Sequence, residues 1–177
     1  KSLAVSNNAS RSRCRSRRSC SACIKASTSA AWTLTDSSAG RISGAISSQM
    51  NGPSDAFVSS LNVPTAGIGT LPYSTYIGGD VDDKICDILI HKGSLYVYGS
   101  SNSTDLPTSP DAYAAELNDK EDGFVMIINL STYEIGASTY IGGENSDYPM
   151  FLDVDDKGSV HLVGGSNSKN YPLTSNC

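Results

Sequence analysis

Gly93-Ser94-Leu95-Tyr96-Val97-Tyr98-Gly99-Ser100-Ser101-Asn102-Ser103 returns 65 residues later as Gly158-Ser159-Val160-His161-Leu162-Val163-Gly164-Gly165-Ser166-Asn167-Ser168. A short run of β-branched, aromatic and aliphatic residues between glycines has the form of a strand. Its return marks a repeat unit, and a repeat has to be found before a fold is assigned. Working outward, Asp55-Ala56-Phe57-Val58 recurs as Asp122-Gly123-Phe124-Val125, and Ser74-Thr75-Tyr76-Ile77-Gly78-Gly79 as Ser138-Thr139-Tyr140-Ile141-Gly142-Gly143. Leu106-Pro107 recurs as Tyr171-Pro172. The four blocks keep their order at offsets of 67, 64, 65 and 65 residues.

Each copy reads as four strands. They are Phe57–Asn62 or Phe124–Asn129, Pro72–Ile77 or Ala137–Ile141, Lys84–Ile90 or Met150–Val154, and Ser94–Gly99 or Ser159–Gly164. Gly93 and Gly158 fall in tight hairpin turns, where glycine supplies a positive φ. Gly78-Gly79 and Gly142-Gly143 are expected to end the second strand in the same way. The expected fold is all-β: a β-propeller segment of four-stranded antiparallel blades, forming an incomplete ring. The domain reading is a basic head over residues 1–30, a degenerate partial blade over 31–54, and blades over 55–121 and 122–177. The worn copy rests on Thr35–Gly44, which resembles Val154–Val160. The stretch Asn102–Asp119 is expected to run over the surface, and Cys86, in the apolar run Ile85–Ile90, to be a buried thiol.

Composition agrees. Hydrophobic residues are 38% and charged residues 18% of the chain, both below the usual share for a soluble domain; Ser, Thr, Asn and Gly make up the difference. No apolar run reaches the ~18 residues of a membrane-spanning helix. Residues 1–50 carry a net charge of +7 and residues 51–177 a net charge of −12. The acidic body excludes nucleic-acid binding through phosphate contacts, which need Lys and Arg. The Arg- and Ser-rich head fits a transit peptide, a disordered tail or an arm for a polyanion.

On these blocks the chain resembles the bacterial-type seven-bladed β-propeller repeat family (SBBP-like repeats). The family pattern runs Asp-Ala-Phe-Val, Tyr-Ser-Thr-Tyr-Leu-Gly-Gly, Gly-x-x-Tyr-Val-x-Gly and Ser-x-x-Phe-Pro-Thr. Asp55–Val58, Tyr73–Gly79, Gly93–Gly99 and Asp105-Leu106-Pro107-Thr108 fit it closely. The second copy departs at Ala137, in place of the leading Tyr, and at Tyr171, in place of Leu106. The resemblance spans about 120 of the 177 residues. It implies a secreted or cell-surface scaffold whose motif residues build blades and share no catalytic set. Two or three blades leave strand edges open, so the chain is expected to be a fragment of a longer propeller or to close it by self-assembly.

The candidate ligand-binding loops follow the Gly-Gly pairs: Asp80, Asp82 and Asp83 after one, Glu144 and Asp147 after the other. Asp153 and Asp155 with Gly158 form a D-x-D-x-x-G pattern that calcium would favour. The first copy has no acid in that turn, which favours a plain hairpin. His91 and His161 are not equivalent, and no Ser-His-Asp or Cys-His set emerges, so no catalytic residue is assigned. Cys14, Cys20 and Cys23 lack the fourth ligand that zinc needs. Asn8, Asn102 and Asn129 begin N-glycosylation sequons, with Asn102 and Asn129 the candidates. The expected function is a non-enzymatic extracellular or cell-surface module binding protein or carbohydrate. The alternatives are the propeller part of a glycan-acting hydrolase or lyase, or a structural subunit of an extracellular fibre or sheath. Fold alone does not decide among them.

Overall fold

The computed structural model describes residues 45–175. Among these residues there are eight strands and no helix, hence no helix long and apolar enough to cross a membrane. The basic head with Cys14, Cys20 and Cys23, the sequon at Asn8, the worn copy at Thr35–Gly44 and Cys177 lie outside the described residues.

The strands are β1 (Ala56–Asn62), β2 (Thr70–Ile77), β3 (Asp83–His91), β4 (Ser94–Ser101), β5 (Asp122–Asn129), β6 (Ile135–Ile141), β7 (Asp147–Val154) and β8 (Val160–Ser166). All pairings between them are antiparallel: β1-β2, then β3-β4-β5-β6 as one four-stranded sheet, then β7-β8. The sheet is therefore out of phase with the repeat. A four-stranded unit within one copy was expected; the observed sheet takes two strands from each copy. The reason lies at the Gly-Gly pairs, where the chain leaves one sheet for the next instead of folding back as a hairpin. The hairpins are where expected, between β3 and β4 and between β7 and β8. Gly93 and Gly158 take φ of 81° and 90° there, a region that costs glycine little.

β4 is one of the two inner strands of this sheet, and seven of its eight residues are buried. Its side chains alternate between two apolar layers. Leu95 and Val97 join Val58, Tyr73, Ile77, Leu106, Phe124, Met126, Ile128 and Tyr140 on the side of β1-β2. Tyr96 and Tyr98 join Val125 and Leu152 on the side of β7-β8. Tyr73 stacks on Tyr133 at 4.3 Å and 8°, which ties the β5–β6 turn to the first sheet. Leu152 N–H donates to Asp87 Oδ2 at 3.0 Å, and Lys92 Nζ donates to the Asp156 carbonyl; both join the second sheet to the third.

One expectation changes. Cys86 is exposed, because β3 is an edge strand whose run alternates and whose register shifts between Ile85 and Asp87. The stretch after β4 runs over the surface, with only Ser103 and Leu106 buried, and it is pinned there. Leu106 is buried, Ser109 N–H bonds Ser138 O, and Tyr140 N–H bonds Ala114 O. The same geometry recurs upstream, where Tyr76 N–H bonds Ser47 O. Thr75 Oγ1 accepts from Ser47 N–H at 3.1 Å as Thr139 Oγ1 accepts from Ala114 N–H at 2.9 Å. Structural recurrence thus reaches back to Ser47.

Gly99 lies opposite Phe124 across the β4–β5 pair. A Cβ there would run into the Lys84 carbonyl and come within 2.7 Å of the Phe124 ring. Gly165, on β8, has open space. Gly99→Ala is expected to cost ~1–3 kcal/mol through overpacking, and Gly165→Ala no more than ~0.5 kcal/mol. Urea midpoints at equal m-values check both; equal midpoints would refute the assignment of Gly99 to a packed layer.

Candidate functional site

The start of β3, the end of β4 and the Gly-Gly pair after β2 meet at one end of the strands and build a corner around a buried carboxylate. Asp83, 2% exposed, is the first residue of β3. Its Oδ2 accepts Gly79 N–H at 2.8 Å and the Ser103 hydroxyl at 2.8 Å. Ser103 Oγ in turn accepts Val81 N–H at 2.9 Å, and Asp105 Oδ1 accepts Asp80 N–H at 2.8 Å. The second copy repeats each bond. Asp147 Oδ2 accepts Gly143 N–H at 2.7 Å and the Ser168 hydroxyl at 3.1 Å. Ser168 Oγ accepts Asn145 N–H at 2.9 Å, and Asn170 Oδ1 accepts Glu144 N–H at 2.8 Å. A loop whose amides end on side chains has its backbone donors satisfied without a partner strand.

The glycines serve space, not φ. None of Gly78, Gly79, Gly142 and Gly143 is among the positive-φ residues, which corrects the expectation for these pairs. A Cβ on Gly78 would lie 2.7 Å from the Asp55 carboxyl carbon and 2.8 Å from Asp83 Oδ2. A Cβ on Gly142 would run into Asp122 Oδ1 and lie 2.7 Å from Asp147 Oδ2. Each first glycine therefore sits between two carboxyl groups, one opening the first strand of a copy and one opening the third. Asp55 and Asp122 are further held by Asn51 N–H at 2.8 Å and Asn118 N–H at 2.9 Å.

Burial disfavours the charged form of a carboxyl group, and a neighbouring negative charge adds to the effect. Burial pushes the Asp122 carboxyl up; the negative charges of Asp147 and Asp119 add to this, and Asn118 opposes it. Burial also raises Asp83; the Asp55 charge adds to it, against hydrogen bonds from Ser101, Gly79 and Ser103. Asp83, Asp122 and Asp147 each keep a buried Oδ1 that makes no hydrogen bond. Tyr140 backs the first corner. Its hydroxyl donates to Ser103 O at 2.6 Å and accepts Leu106 N–H at 3.2 Å. Burial pushes this phenol up to about 12, so it stays a donor at neutral pH.

The candidate loop acids therefore divide. Asp83 and Asp147 are internal braces, whereas Asp80, Asp82 and Glu144 are exposed. The sequence showed Asp83 and Asp147 as loop charges because acids are usually solvated; the signal for their burial was the recurrence of their hydroxyl partners, Ser103 and Ser168. Asp153 is exposed on β7. Asp155 Oδ1 accepts Lys157 N–H at 2.9 Å and Ser159 N–H at 2.8 Å, and the Ser159 amide leads in holding its carboxyl below the usual range. That is the hydrogen-bond pattern of a hairpin turn. Among the described residues no three His, Cys, Asp or Glu side chains are grouped to hold one ion. His91 ends β3, edge-on to Tyr96 at 6.4 Å, and the exposed His161 lies 3.6 Å from Asp155. Asn102 is half-buried and donates to Lys120 O at 2.8 Å; Asn129 is exposed, and its Oδ1 accepts Ser131 N–H at 2.8 Å.

No family model, curated protein or solved structure matches the chain.

A raised carboxyl pKa means that the fold holds a proton the unfolded chain has already lost. Stability then falls as pH rises from the ordinary carboxylate value through the raised one. Asp122→Asn supplies a permanent hydrogen at this pair. It is expected to be at least as stable as the parent at pH 7 and to show a flatter stability profile from pH 4 to 7. Asp122→Ala leaves Asn118 N–H without its acceptor and is expected to cost ~1–3 kcal/mol. Denaturant titrations across that range decide, and equal losses for the two variants would refute a raised Asp122 carboxyl.

Proposed function

We propose that this chain is a β-propeller segment serving as a non-enzymatic binding module. In this reading the four-stranded sheet is a blade, each two-stranded sheet is part of one, and the Gly-Gly corners form one rim of the disc. The blade reading is supported by the four-stranded antiparallel meander, by apolar layers on both of its faces, and by the resemblance of the motifs to the propeller repeat.

One observation carries the binding reading. Two equivalent loops at the same end of the strands present Asp80, Asp82 and Glu144 to solvent, while buried Asp83 and Asp147 fix the backbone beneath them. Pre-organised loops lose little freedom when a ligand docks, and exposed acids attract cationic groups. The ligand is a protein or carbohydrate, with basic protein segments favoured by charge. A secreted or cell-surface setting suits the Ser-, Thr- and Asn-rich composition; glycan mass increments at Asn102 or Asn129 on the native protein would support it.

The test pairs binding with turnover. The full chain is assayed against a glycan array and a Lys/Arg-rich peptide set, and bound glycans are then checked for cleavage. Binding without product is expected. Asp80→Asn, Asp82→Asn and Glu144→Gln combined should weaken cationic-peptide binding at least tenfold at low salt, with a smaller ratio at higher salt. Product formation would replace the binding module with an enzyme. Unchanged affinity in the triple variant would remove the acidic loops from the site.

A further inference from the structure

We propose that the open edge of β8 is a seat for β1 of a second copy of this chain, with Phe57 as the anchor. The inference does not depend on the ligand-binding reading, because the chain contains a completed example of the same joint. β4 pairs with β5 in unbroken register from Ser94↔Asn129 to Ser101↔Asp122. At that joint Phe124 is fully buried, opposite Gly99 and clustered with Val97, Ile77 and Leu106.

β8 is the equivalent of β4, and among the described strands its second edge has no partner. Where β4 is buried, Val163, Gly164, Gly165 and Ser166 are exposed. A cleft of about 350 Å³ opens beside it, lined by Tyr98, Ile141, Pro149, Leu162, Gly164 and Tyr171 among others. Four of these occupy the places that surround Phe124 in the completed joint: Gly164 for Gly99, Leu162 for Val97, Ile141 for Ile77 and Tyr171 for Leu106. The cleft is thus a Phe124-type seat without its phenylalanine.

The matching plug is on β1. β1 is the equivalent of β5, and among the described strands it pairs only with β2. Its Phe57 corresponds to Phe124 but is 57% exposed. Transferring the β4–β5 register places Phe57 opposite Gly164, Ala56 opposite Gly165 and Asp55 opposite Ser166. Neither edge carries the Lys or Pro that usually guards an exposed strand; β1 reads AFVSSLN and β8 VHLVGGS. Donor edge and acceptor edge are different surfaces, so the contact is head-to-tail. It adds backbone hydrogen bonds for affinity and a side-chain pocket for register.

The experiment uses the whole 177-residue chain. Sedimentation equilibrium over a range of micromolar concentrations is expected to show masses rising from 18.6 kDa in whole multiples. Phe57→Asp leaves the single chain's core intact and is expected to weaken association at least tenfold. An Ala56→Cys chain mixed with a Gly165→Cys chain should form a disulfide between those two positions, identified by peptide mass; a Cβ at Gly165 meets nothing within 4 Å. A single 18.6 kDa species at every concentration would overturn the proposal. So would undiminished association of Phe57→Asp, or the absence of the 56–165 cross-link. A monomer whose β8 amides resist exchange would assign the seat to residues of the same chain instead.

Discussion

The arrangement depends on a carboxylate buried at the first residue of a strand. Asp83 and Asp147 each take a glycine N–H and a serine hydroxyl on one oxygen. That set of bonds turns the chain out of one sheet and starts the next. A carboxylate in a buried place is tolerable only with such donors around it, and its removal would leave them unsatisfied. The small residues follow from it: a side chain at Gly78 or Gly142 would fall between two carboxyl groups. Burial and the neighbouring Asp147 charge both raise the Asp122 carboxyl, which ties the stability of this corner to pH.

Strand edges are the second constraint. β4 satisfies both of its edges, against β3 and β5, and is correspondingly buried. β8 repeats its sequence without repeating its surroundings, and the same residue types stand in the open. Phe124 and Phe57 make the same contrast, one at 0% and the other at 57% exposure. Side-chain identity sets what a position can bury; the neighbouring strand decides whether it does. The Gly-Gly corners and the β8 edge are therefore separate surfaces, the first presenting fixed acids and the second without a partner among the described strands.

Much of the architecture is legible in the sequence, for definite reasons. Eight strands are read from punctuation and β-branched content, with Phe57–Asn62 and Phe124–Asn129 matching β1 and β5 to within two residues. Gly93 and Gly158 take the positive φ that their turns require. Pairing is less legible, because a repeat offset does not say which strand is the partner; it reveals the copies but not the phase of the sheet. Cys86 sits in an apolar run that looks buried, but β3 is an edge strand and alternation turns it out. At the Gly-Gly corners, Asp80, Asp82 and Glu144 are exposed, whereas Asp83 and Asp147 are enclosed by Ser103 and Ser168, 20 and 21 residues away. Contacts of that range leave no local pattern. The recurrence of Asn51 as Asn118 would have pointed to the braced acids Asp55 and Asp122.

Amide hydrogen exchange along β4, followed residue by residue by NMR, addresses the phase of the sheet most directly. If β4 lies between β3 and β5, every amide from Leu95 to Gly99 should exchange slowly, near the rate set by global unfolding. If the strands of each copy paired only among themselves, β4 would be an edge. Alternate amides along it would then exchange rapidly, and the pairing on which the four-stranded sheet is built would be contradicted.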